Sequence, residues 1–133
     1  MDQEIKAAVE KFCAGNEDTA FFELVEMPGN ILPGLVDCFH TEELAAVRAF
    51  LVKAAWERRH PSVIQFLGEA LDDLNEEVWQ EALDGLVTLA SDESLAVLQS
   101  ARSREFSDEA AYKRFHLWLE EAIEQVLFEL KRA

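Results

Sequence analysis

Apolar residues recur along this chain at three- and four-residue intervals and hardly anywhere at two. That spacing lines one face of a helix, not one face of a strand. Val, Ile and Thr are sparse beside Ala, Leu and Glu, and glycine and proline fall almost entirely between the periodic runs. The pattern predicts an all-α chain of eight helices, near residues 2–14, 17–27, 30–40, 41–58, 61–73, 75–90, 92–103 and 108–132.

Several boundaries carry their own signals. Asn16, Thr41 and Asn75 stand where a side-chain oxygen can accept from the free amides of a first turn, and two glutamates follow both Thr41 and Asn75. Ser62 with Gln65 fits a capping box, and Ser107 precedes Asp108-Glu109 at the expected start of the last helix. Met27-Pro28-Gly29 ends the second helix, and Lys131 and Arg132 place cations where the final helix exposes its carbonyls.

The pattern repeats at a period of 31–33 residues. Val47, Leu51 and Ala55 match Val78, Ala82 and Leu86, and Ala111, Phe115 and Leu119 repeat the same spacing once more. Ile31, Val63 and Leu95 open the first helix of each unit. A first helix, a short acidic turn, then "NEEVWQEALDGL" opening a second helix resembles a HEAT-like repeat. "TEELAAVRAFLVKAA" and, more loosely, "SDEAAYKRFHLWL" follow it.

The resemblance implies a right-handed α-solenoid of about four stacked helix pairs. It would form a single domain over residues 1–133: a degenerate cap pair at 1–29 and units at 30–60, 61–91 and 92–133. The family implies no single activity; most of its members bind other macromolecules.

In such a repeat the position after the valine faces the inner surface. Here these positions hold Arg48, Trp79 and Tyr112, with Val52, Leu83 and His116 one turn on. Trp79 stands in the acidic run "LDDLNEEVWQEALDGL", bordered by Glu76, Gln80 and Asp84. One reading makes it an exposed anchor with a charged rim, because Trp, Tyr and Arg most often carry binding energy. The other packs it between adjacent second helices, as Trp is usually well buried. Trp118, beside the Phe115/Leu119 stripe, reads as core. Asp72, Asp73, Glu76 and Glu77 gather at the turn between two helices, where they suit a helix start and a grip on a partner's Lys and Arg. The expected partner-binding set is therefore Arg48, Asp72, Asp73, Glu76, Glu77, Trp79, Gln80, Asp84, Tyr112 and His116.

Charge narrows the partner. Twelve Lys and Arg face twenty-seven Asp and Glu, a net charge of −15. This argues against nucleic-acid phosphates and anionic lipid, and favours a basic protein steered in by the opposite field. Acidity also serves plain solubility. Cys13 and Cys38 lie in apolar helical patterns and read as buried free thiols. No secretory leader and no bilayer-spanning stretch is expected, which points to the cytoplasm.

Catalytic patterns are missing. The HEAT-like deoxyhypusine hydroxylases hold a di-iron centre on paired His-Glu motifs, and none of His40, His60 and His116 precedes a Glu. His116 and Glu120 share a helix face but have no further ligands at metal spacing. The HEAT-like alkylpurine DNA glycosylases need a cationic inner face, against the charge seen here. With no phosphate loop and no identifiable base beside either cysteine, no enzyme, cofactor or metal is expected. The expected function is binding of a basic protein, most specifically as an inhibitor of the immunity type that blocks a bacterial toxin, acting as a monomer or weak dimer. The alternatives are a HEAT protein resembling the bilin lyases or a chaperone, and a scaffold subunit.

Overall fold

The structure, a computed structural model, describes residues 3–132. Its helices are α1 (Gln3–Cys13), α2 (Glu17–Glu26), α3 (Leu32–Thr41), α4 (Ala45–Glu57), α5 (Ile64–Ala70), α6 (Glu76–Leu89), α7 (Asp92–Ser100) and α8 (Glu109–Arg132). Tight turns of 3₁₀ helix, Pro61–Val63 and Ala101–Ser103, precede α5 and follow α7. The expected start of the first helix at residue 2 lies outside the described residues.

Consecutive helices pack as hairpins, α1 on α2, α3 on α4, α5 on α6 and α7 on α8. The second helices α2, α4, α6 and α8 then stack side by side in one layer, with α5 against α7 in the other. This is an all-α solenoid, and the repeat has a physical basis. Val47, Leu51 and Ala55, Val78, Ala82 and Leu86, and Phe115 and Leu119 are all buried. Equivalent positions do equivalent packing, each hairpin covering apolar surface that it cannot bury alone.

Neighbouring hairpins approach closely at two glycines. A Cβ built on Gly85 would lie 2.7 Å from Trp56 Cγ, because the Trp56 indole rests on the α6 backbone. One on Gly68 would lie 2.9 Å from a Val97 methyl, at the α5–α7 contact. Valine can yield; a buried indole held from both sides cannot do so cheaply. Gly85→Ala is therefore expected to cost about 1–3 kcal/mol despite its better helix propensity. Urea unfolding would measure it, and a neutral or stabilising result would contradict the close approach.

Capping departs from the expected scheme in detail. Asn75 caps α6 as expected, its side chain accepting from Glu77 N–H at 2.9 Å. Asn16 makes no such bond. Thr41 ends α3 and donates to the carbonyls of Cys38 and Asp37; α4 starts later, at Ala45. Ser62 does not cap its helix: His60 Nδ1 accepts from Ser62 N–H at 3.1 Å, and Gln65 reaches Glu93. Asp108, not Ser107, accepts from the first turn of α8, at Ala110 N–H. His60 and Asp108 took over from the expected neighbours, whereas α2 and α4 start with no side-chain cap, the ordinary limit of boundary reading from sequence.

Three arginines tie the solenoid together at helix ends, where last-turn carbonyls lack intrahelical partners. Arg58 donates to the carbonyls of Leu24, Val25, Met27 and Gly29 at 2.7–2.9 Å, closing the end of α2. Arg48 donates to the carbonyls of Glu42 and Glu43 and, bidentately, to the Asp73 carboxylate at 2.8 and 3.1 Å. Arg104 donates to the carbonyls of Leu71 and Asp73. Each guanidinium joins one hairpin to the next. The planar fork matches these arrays in a way an ammonium cannot.

Candidate functional site

The residues expected on the inner surface are mostly inside the seam between second helices. Trp79 is only 4% exposed, set edge-on to Phe115 at 5.1 Å and to Trp118 at 6.5 Å between ring centroids. Val52 and Leu83 are buried as well. The exposed-anchor reading of Trp79 is thus corrected to packing. A second helix in the stack has a neighbour on each side as well as its own first helix beneath. Its apolar arc must therefore be wide enough to take in the position after the valine.

The rest of the expected set divides four ways. Arg48 and Asp73 are mutual partners, their side chains 19% and 9% exposed, so Arg48 is a brace and not a free contact. Tyr112 and His116 stack on one another at 4.2 Å and pack against Phe106 in the loop before α8. They sit apart from the α6 acids. Glu76 pairs with Arg114 and accepts from Gln80, both at 3.0–3.2 Å. Asp72 is exposed in the turn after α5; Glu77 and Asp84 are exposed on α6.

Two clefts open on the second-helix layer. One, of about 170 Å³, lies between α2, α4 and α6 and is lined by Asp18, Phe21, Phe50, Lys53, Glu77 and Glu81. The other, of about 440 Å³, lies between α4, α6 and α8 and is lined by Trp56, Leu83, Asp84, Val87, Trp118 and Glu121. Both have apolar and aromatic floors with carboxylates at the edge. Only Glu77 and Asp84 of the expected set belong to them.

Trp118 is the residue the sequence reading misplaced. It is 42% exposed, where core was expected. Earlier units carry Ala54 and Gly85 at its position, with Trp56 lying across Gly85. The Trp118 ring stands at the rim of the cleft between α4, α6 and α8, in contact with Trp79 on α6. A tryptophan in the final unit where earlier ones carry small residues was the available signal.

Two carboxylates of α6 beside this cleft are partly shielded from water by their neighbours. Burial pushes the Glu81 carboxyl above its usual range; the Trp56 indole N–H, donating at 3.0 Å, opposes the rise, and Asp84 nearby adds to it. Burial also pushes Asp84 up. Among the described residues neither Asp84 nor Glu121 has an ion-pair or hydrogen-bond partner for its carboxylate. Most cations are engaged within the fold: Arg48, Arg58 and Arg104 on carbonyls, Lys11, Arg102 and Arg114 on acids, Lys53 over the Phe21 ring. The charge left unneutralised on the surface is therefore overwhelmingly negative.

Other features carry less chemistry. Cys38 is buried, and burial raises its thiol pKa, with Glu42 adding to the rise; Cys13 is exposed, contrary to expectation. His116 does not share Glu120 with a metal, because Arg102 takes both Glu120 oxygens at 2.8 and 2.9 Å. No helix among the described residues is long and apolar enough to cross a membrane.

No curated protein and no solved structure matches the chain. A family model for HEAT repeats matches residues 32–112, which is more than half of the chain and spans α3 through the start of α8. With its hairpins stacked in one register and this match over more than half of its length, the chain belongs to the HEAT-repeat family.

Proposed function

We propose that the protein is a protein-binding module that takes a basic partner on the outer face of its second helices, and that it acts as an inhibitor of the immunity type by covering the partner's working surface. The HEAT repeat supports the coarser half of this, a protein-interaction module. The finer half rests on the α4–α6–α8 cleft, where Asp84, partly desolvated, and Glu121 lie without partners among the described residues beside an exposed tryptophan. A cation docking there relieves the cost of partly burying the Asp84 charge, while the aromatic supplies contact area.

The pH dependence has a definite sign. Glu81 and Asp84 have folded-state pKa values above their unfolded ones. The fold therefore holds those protons more tightly than the open chain, and it loses that margin as pH rises through the raised values. A bound cation favours the deprotonated forms. Affinity for a basic partner is expected to weaken as pH falls through the raised carboxyl range, and to fall steeply with salt.

The test is affinity capture from the organism that encodes the chain, then assay of the captured protein. The expected result is an equimolar complex with a basic protein whose activity stops on saturation. Asp84→Lys is expected to slow its association about tenfold. A partner that is acidic, bound independently of salt, or fully active when saturated would sink the proposal.

A further inference from the structure

We infer that the α4–α6–α8 cleft is an arginine subsite, in which a guanidinium from the partner lies against the Trp118 ring with its N–H groups on Asp84 and Glu121. This rests on the basic-partner reading above and names the group that enters. The cleft volume, about 440 Å³, accommodates one long side chain and its approach. Its floor is apolar, from Leu83, Val87 and Trp56, and suits the methylene stem of arginine. Trp118 lines the cleft and is 42% exposed, in T-shaped contact with Trp79. A planar cation stacks on such a ring, and the indole is the best of the aromatic faces for it.

The carboxylates complete the match. Asp84 and Glu121 line the same cleft from α6 and α8. Neither is engaged by any described residue, although most of the chain's own cations have found acids, carbonyls or rings. Glu81 is not free in this way, because it already accepts from Trp56 Nε1. Two carboxylates on separate helices, one flat ring and an apolar floor present acceptors and a stacking face to one planar donor. Lysine would satisfy a carboxylate but gain less from the ring and no bidentate bond.

The chain carries its own reporter. Its three tryptophans give three indole N–H signals in a proton–nitrogen correlation spectrum, and Trp56 and Trp79 are only 8% and 4% exposed. The probe is a short capped glycine peptide with one central arginine, compared with its lysine and citrulline counterparts. The arginine peptide is expected to move the Trp118 indole signal saturably, lysine to bind several-fold more weakly, and citrulline, planar but neutral, to leave it unmoved. The Asp84→Asn/Glu121→Gln pair is expected to weaken arginine binding about tenfold. Glu43→Gln/Glu124→Gln removes the same charge elsewhere on the surface and is expected to change it less than about twofold.

Equal losses in the two double variants would reduce the effect to net charge and overturn the subsite. A Trp118 indole that does not respond would do so too. Shifts confined to the α2–α4–α6 cleft would end the subsite but leave the basic-partner reading standing. Shifts nowhere on the second-helix layer would end both.

Discussion

Trp79→Ala is expected to lower stability by about 3–5 kcal/mol, the range for truncating a large buried aromatic. For a chain of this size that is a melting midpoint lower by about 10–20 °C. The indole fills the seam between α6 and α8, edge-on to Phe115, which is itself fully buried. Removing it empties the interface that holds the last hairpin onto the stack. Trp118→Ala, by contrast, removes a ring that is 42% exposed and is expected to cost about 1 kcal/mol or less. Circular-dichroism melting of the two variants separates their structural weight: Trp79 holds the fold, and Trp118 carries little of it. A Trp79→Ala protein that melts like the parent but loses its partner would reverse the assignment.

The contrast between these two tryptophans shows how far the sequence could be read. Helix number, order and pairing were all legible, because three- and four-residue spacing and a period near 31–33 residues are properties of the chain itself. The buried register at Val47, Val78 and their partners followed from the same pattern. Which flank of a second helix lies bare did not. That depends on how many neighbours the helix has, and a helical pattern alone gives the face toward the first helix but not the width of the arc. Trp79 is covered by Phe115 and Trp118 from α8, whereas Trp118, at the position that holds Gly85 in the preceding unit, opens onto the α4–α6–α8 cleft.

Arginine roles were illegible for a related reason. Arg48 occupies a position that the repeat register places on the inner surface, yet it turns to nearby carbonyls and to a carboxylate 25 residues away. A count of charges cannot distinguish a cation that faces solvent from one that closes a helix end. The negative balance was correct as a total. Its functional meaning came from the structure, where internal pairing leaves Asp84 and Glu121 unanswered in one cleft.

The acidic turn divides in the same way, and Asp73 provides the second large expected effect. Its carboxylate receives both bonds from Arg48 and a third from Asn75 N–H at 2.9 Å, with its own carbonyl accepting from Arg104. Three successive hairpins thus meet at this residue. Its hydrogen bond is the leading reason the Arg48 pKa is raised. Asp73→Ala leaves that guanidinium half-satisfied in a site only 19% exposed, at a cost of about 3 kcal/mol, the lower end for breaking a buried pair. The lower end applies because the Glu42 and Glu43 carbonyls still hold one edge of the arginine. Asp73→Asn keeps an acceptor without the charge and is expected to lose about half as much. Asp72→Ala, one residue earlier and exposed, removes the same charge and is expected to stay within about 0.5 kcal/mol. Urea midpoints of the three variants decide it: if Asp72 and Asp73 lose stability equally, the effect is general electrostatics, and the brace between hairpins is not what Asp73 supplies.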